Sequence, residues 1–182
     1  PHLEWMEMSA LVPGVVDDWV RQWPQRNMIW HLAPDLPAVR ADADMLRQVL
    51  ALLLDNAGKF TRHKNPAEIS VTWTALAGGQ CCISVQDNGV GFNPAQADQL
   101  FKVFAKLHPQ RDFEGLGLGL VQCRKLLQCM GGCISIAAVP DVGCEVKLTL
   151  PTLPLPGLVS TRPAPEVLPA AIVRVVMGVI CV

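Results

Sequence analysis

At 182 residues the chain is long enough for one domain with a packed core and too short for two generous ones. Hydrophobic residues make up 51% and charged residues 17%, with helical and strand-like periods alternating along most of the length, which excludes a disordered chain before residue 151. Net charge is -1, from 15 basic and 16 acidic residues scattered without a stripe, so the composition carries no electrostatic footprint for nucleic acid.

Seven cysteines, an odd number, show none of the paired close spacings that bind zinc or frame a secreted scaffold; they read as buried thiols in a reducing cytosol, and a cytoplasmic location is expected. His2, Glu4 and Glu7 interrupt any leading apolar run, and no stretch reaches the roughly 20 apolar residues needed to span a bilayer. No membrane contact is expected of this domain, and any membrane anchor of the whole protein is expected outside this chain.

In chain order, Ser9 is a candidate N-cap for a helix over residues 9–23, with Leu11, Val12, Val15, Val16, Trp19 and Val20 at helical spacing and Pro13-Gly14 against it. Two brief strands follow at 27–32 and 38–41, separated by a proline-rich turn. The clearest helix starts at Asp42, a capping residue, and carries Met45, Leu46, Val49, Leu50, Leu53, Leu54 and Ala57 on one face to about Phe60. Alternation over 68–75 and 80–87 around Gly78-Gly79 reads as a hairpin. Residues 88–114 hold no persistent element except a short helical pattern over 100–107, and so long an irregular connection is usually functional. A helix over 117–130 closes at Gly131-Gly132, and strands follow at 133–139 and 143–150. Beyond 151 the chain becomes proline-rich and ends in an apolar tail; the expected division is one domain over 1–151 and a linker with tail over 152–182.

Three segments carry chemistry. Asp87-Asn88-Gly89-Val90-Gly91-Phe92 presents a carboxylate at a strand end, where it can accept a hydrogen bond from an exocyclic amine, and glycines that let the backbone approach a ligand; a tight turn built on aspartate and glycine is the competing reading. Gly115-Leu116-Gly117-Leu118-Gly119-Leu120 opens a helix and exposes backbone amides at its positive end, a cradle for phosphate; a glycine loop needed only for close packing is the alternative. Asp55-Asn56-Ala57-Gly58-Lys59-Phe60-Thr61 ends the best helix, where Asn56 could offer magnesium a neutral oxygen and Lys59 could meet a phosphate; taken alone, it reads rather as a C-terminal capping region in which Lys59 favours the negative end of the helix dipole.

Together with Leu100 to Phe104, these segments stand in the order of an asparagine box, a first glycine box, a phenylalanine box and a second glycine box. The chain thereby resembles the catalytic domain of sensor histidine kinases, in the superfamily that also holds gyrase and heat-shock chaperone ATPases, over about residues 9–151. The run from Phe101 to His108, with Phe113-Glu114-Gly115, looks most like the phytochrome-type kinases. The resemblance implies an α/β (α+β) Bergerat-type fold: a two-layer sandwich with a mixed sheet of about five strands and helices on one face. It implies ATP and magnesium as cofactors, with Asp87 on the adenine amine, Asn56 on magnesium, Lys59 on phosphate and Gly89 and Gly91 shaping the adenine side. Gly115, Leu116, Gly117, Leu118 and Gly119 would form the phosphate-side edge of a lid, to which Lys106 would add a basic group; Phe101 and Phe104 would anchor it.

Two departures stand out. Leu52 occupies a position that is usually polar in relatives, and Leu116 one that is often a hydroxyl residue. Leu52 also cannot act as the general base of the hydrolytic branches, which favours γ-phosphoryl transfer to a histidine. None of His2, His31, His63 and His108 has the context of an acceptor, so the acceptor is expected on a dimerisation and phosphotransfer domain outside this chain, with a response regulator downstream. The alternatives are a degenerate nucleotide-binding module that regulates or docks, and a serine kinase of the anti-sigma type.

Overall fold

In this computed structural model the described residues are 1–93 and 118–153, and the expectations for 94–117 and 154–182 lie outside them. A short strand, β1 (Glu4–Glu7), runs straight into α1 (Met8–Gln22). The helix starts at Met8, one residue before the expected cap, because the Met8 amide donates to the Pro37 carbonyl and fixes the chain direction there. Met8, Leu11, Val12, Val15, Val16 and Trp19 form its buried stripe. Pro13 sits inside α1 and removes one helical bond to Ser9, whose exposed position leaves that carbonyl open to water.

β2 (Met28–Leu32) and β3 (Ala38–Ala41) precede α2 (Ala43–Phe60), whose Met45 amide donates to the Asp42 carboxylate at 3.1 Å. That bond satisfies one orphan donor of the first turn. Next come β4 (Ala67–Leu76), β5 (Gln80–Asp87), α3 (Gly119–Cys129), β6 (Cys133–Val139) and β7 (Gly143–Pro151).

The main sheet has five strands in the order β2-β4-β5-β7-β6. β2 and β4 pair in parallel, joined across α2 as a crossover requires, and the other neighbours are antiparallel. The sheet is therefore mixed, and its alternation separates two faces. Ile69, Val71, Ile83, Val85, Leu148 and Leu150 are buried in one cluster with Leu46, Val49, Leu53, Cys123 and Leu127 of the helices. The opposite face carries Ser70, Thr72, Ser84, Gln86, Glu145 and Lys147, with the Ser84 hydroxyl donating to Glu145 Oε1 at 2.6 Å. Each large aliphatic side chain buried between the layers contributes about 1.5–3 kcal/mol.

β1 and β3 form a separate two-stranded antiparallel sheet. Thr152, just past β7, bridges Val39 of β3, donates its hydroxyl to the Ala38 carbonyl at 2.6 Å and its amide to the Gly79 carbonyl at 2.8 Å.

The expectation of uniformly buried thiols needs one correction. Cys81 and Cys123 are buried and Cys82, Cys133 and Cys144 half-buried, but Cys129 is exposed. It lies one turn beyond the exposed Lys125 on the solvent side of α3, where helical periodicity points it away from the sheet. Among the described residues no helix is long and apolar enough to cross a membrane.

Candidate functional site

The C-terminal half of α2 forms one wall of the site. Asn56 is half-buried at the margin of the apolar stripe and faces the first residue of α3: a Cβ built on Gly119 would stand 3.6 Å from Asn56 Nδ2 and 4.0 Å from Oδ1. The asparagine segment and the end of the second glycine segment, 63 positions apart at Asn56 and Gly119, thus meet at a helix N-terminus. Leu118 is the N-cap of α3 and contributes no side-chain bond, and the first turn has no acidic residue. The dipole end is therefore not countered by a carboxylate of its own turn. Lys59 lies in the last turn of α2, its Nζ 5.5 Å from the centroid of the Phe60 ring.

Asp87 ends β5 and is only 8% exposed. Burial pushes its carboxyl up to about 6, against the opposing pull of backbone donors at Gly89 and Cys144; the Gly89 amide donates to Oδ1 at 2.8 Å. The group is a buried acceptor with one oxygen already fixed by the turn that follows it. Gly89 has no room for a side chain, since a Cβ there would lie 2.7 Å from both Asp87 Oδ1 and the Phe60 carbonyl oxygen. Gly91 adopts φ +59 with its Cα pressed toward the Val139 carbonyl, a left-handed position that an L side chain would strain. Val90 between them donates to the Phe60 carbonyl at 3.2 Å, and Asp141 donates to the Val90 carbonyl at 2.7 Å. Asn88 turns away: its Oδ1 accepts the Glu68 amide at 3.0 Å, a structural role.

The geometry brings Asn56, Lys59, Asp87, Gly89, Gly91, Leu118 and Gly119 around one end of the sheet and of α2. Lys106, Gly115, Leu116, Gly117 and the phenylalanine segment at residues 100–104 lie outside the described residues. Three neighbours escaped the sequence reading. Gly58, in the middle of the asparagine segment, is a packing residue, because any Cβ on it would collide with the Trp19 ring. Buried Thr61 donates its hydroxyl to the Ala57 carbonyl at 2.7 Å and accepts from Arg26 Nη2 at 3.2 Å, which clamps the helix end. Cys144 stands directly across from Asp87 in the β5–β7 ladder, its thiol pushed well up by burial and by the charges of Asp87 and Glu145. Only the facing of β7 against β5 could have shown that neighbour, and a single sequence does not carry it.

No group of three or more His, Cys, Asp or Glu among the described residues could hold a metal ion by itself. One amide oxygen at Asn56 fits magnesium all the same, because that ion keeps several waters and takes most of its remaining ligands from substrate phosphates.

Comparison with known proteins gives the site its lineage. Residues 41–154 match the sequence profile described as histidine kinase-, DNA gyrase B-, and HSP90-like ATPase. The chain is 33% identical over 150 residues to the adaptive-response sensory kinase SasA of Synechocystis sp., covering 80% of this chain and 38% of that protein. It is 33% identical over 116 residues to cyanobacterial phytochrome A of Nostoc sp., covering 64% of this chain and 15% of the relative. The chain therefore spans well under half the length of these curated relatives. Among solved structures, full-length ShkA in complex with AMPPNP superposes with a TM-score of 0.69 at 27% identity, over 83% of this chain and 31% of that one. The chain belongs to the histidine kinase-, DNA gyrase B-, and HSP90-like ATPase family, with sensor kinases among its relatives.

Proposed function

We propose that this chain is the ATP-binding catalytic domain of a cytoplasmic sensor histidine kinase, which binds magnesium-ATP and donates the γ-phosphoryl group to a histidine on a dimerisation domain outside it. The observation that carries the reading is the buried Asp87 carboxylate at a strand end, joined through the Val90–Phe60 bond to the helix whose Asn56 faces the start of α3. A carboxylate so placed recognises the exocyclic amine of adenine, and a helix N-terminus one glycine away suits the phosphates. The AMPPNP complex of ShkA supports the same ligand class here.

Within this reading Asp87 orients the base, Gly89 and Gly91 keep the backbone low enough for it to enter, and Asn56 would hold magnesium. The ion that Asn56 would hold supplies positive charge to offset that of the phosphates. Lys59, Lys106 and the segment from Gly115 to Gly119 serve the phosphate side. Catalysis of this kind rests on positioning and electrostatics, so no acid or base need come from the chain. The domain spans residues 1–151, with 152–182 as an extension; a response regulator is the downstream partner.

A titration of the whole chain with magnesium-ATP tests the reading: saturable binding, lost in Asp87→Asn, is expected. Labelled ATP should leave no acid-labile phosphate on the isolated chain, and should label an added dimerisation domain of the same kinase. A cooperatively folded chain that takes up no adenine nucleotide would point instead to a regulatory module without kinase activity.

A further inference from the structure

Leu52 and Asn56 lie one turn apart on α2 and face the same partner. A Cβ on Gly119 would stand 3.6 Å from the Asn56 amide and 4.0 Å from Leu52 Cδ2. Leu52 is half-buried, leaning on the core cluster without being enclosed by it. The surface that α2 turns toward the α3 N-terminus is therefore half amide and half hydrocarbon. Leu118 adds no capping oxygen, and the first turn of α3 adds no carboxylate.

The chemistry of the two residues differs where a metal-phosphate group would rest. Magnesium demands oxygen ligands in near-octahedral geometry and dehydrates reluctantly, so it needs water or oxygen on every side. A leucine methyl supplies neither an oxygen nor an acceptor for a metal-bound water. The adenine end is differently furnished, with a buried carboxylate and a fixed turn at Asp87 and Gly89.

Resting on the ATP-binding reading above, we infer that Leu52 is a specificity-determining residue that makes nucleotide uptake depend on the adenine end, leaving it nearly indifferent to magnesium and to the third phosphate. ATP and ADP then bind with affinities within about threefold of one another, and magnesium changes the ATP affinity by no more than the same factor, since a tenfold change takes a full 1.4 kcal/mol or so of added interaction.

The test is a calorimetric titration of the full chain with ATP and with ADP, each in EDTA and in excess magnesium, for the natural protein, Leu52→Asn and Leu52→Ala. Leu52→Asn supplies an oxygen and is expected to gain about tenfold in ATP affinity only when magnesium is present. Leu52→Ala removes the bulk without adding a ligand and should gain nothing from the metal. Leu52→Gln offers the same amide on a better helix former if the asparagine variant does not melt cooperatively. Binding in EDTA reports an intact adenine end in every variant. A tenfold or larger magnesium effect in the natural protein overturns the inference, as does an alanine variant that gains as much as the amide variants. Absence of any adenine-nucleotide binding to folded natural protein, in EDTA and magnesium alike, instead overturns the ATP-binding reading itself.

Discussion

Val90 donates its amide to the carbonyl of Phe60, the last residue of α2, at 3.2 Å. One turn back along α2 is Asn56, and three residues back from Val90 is Asp87, so this bond joins the two halves of the site across 30 positions of sequence. Gly89 makes the approach possible, because its missing side chain is the gap between the Asp87 carboxylate and the Phe60 carbonyl.

Gly89→Ala is therefore expected to push loop and helix apart. Overpacking of this kind costs about 1–3 kcal/mol, and the displaced Asp87 should lower ATP affinity at least tenfold. Urea denaturation and a nucleotide titration on the same preparation check both effects; an alanine variant with natural affinity would contradict the geometry.

Asp87 should trade stability for binding. Its carboxyl rises from 3.8 in the unfolded chain to about 6 in the folded one, so between those values the folded state holds more protons. Stability is then full below the unfolded value and is lost as pH rises through about 6; at about 1.4 kcal/mol per pH unit the gap corresponds to roughly 3 kcal/mol. Asp87→Asn keeps the shape and loses the charge. At pH 7 it is expected to be about 1–3 kcal/mol more stable than the natural chain, converging with it near pH 4, while ATP affinity falls about a hundredfold. Denaturation curves at both pH values measure the first effect and ATP titrations of the two proteins at pH 7 the second; the ATP affinity of the natural chain should itself decrease below about pH 6.

Gly58→Ala tests a different role inside the same motif. The added methyl collides with the Trp19 ring, so the variant should lose about 1–3 kcal/mol of stability by separating α1 from α2. Combining it with Trp19→Leu should recover part of that loss, which thermal melts of the single and double variants would show.

Thiol chemistry separates the cysteines by place. Among the cysteines of the described residues, Cys129, exposed on α3, should react first with an uncharged alkylating reagent in the native state. Cys81 and Cys123, whose thiols burial pushes up to about 11 and about 12, should remain unmodified until the chain unfolds. Mass spectrometry of peptides after timed alkylation distinguishes them.

Much of this was legible in single elements. The Asp42 cap and the long stripe from Leu46 to Ala57 define α2 to within a residue, because capping and period 3.6 agree there. The hairpin of β4 and β5 follows from alternation around two glycines. β1 was not foreseen: four residues with Met6 alone half-buried give too few alternations to signal a strand, and its partner β3 lies more than 30 positions away. Long-range pairing also hid Cys144 beside Asp87, and long-range packing hid that Gly58, inside the asparagine segment, is a seat for Trp19. At the site, Asp87 and Asn56 were readable from motif order, while the hydrocarbon half of the α3-facing surface became spatial only when Leu52 met Gly119.

β3 receives both ends of the described domain: β1 pairs along it from Glu4 to Glu7, and Thr152 bridges it at Val39. A unit whose two ends lie beside one strand can be grafted whole into a surface loop of another protein, or cut at Gly78-Gly79 and rejoined between residues near Glu4 and Thr152, without stretching the sheet.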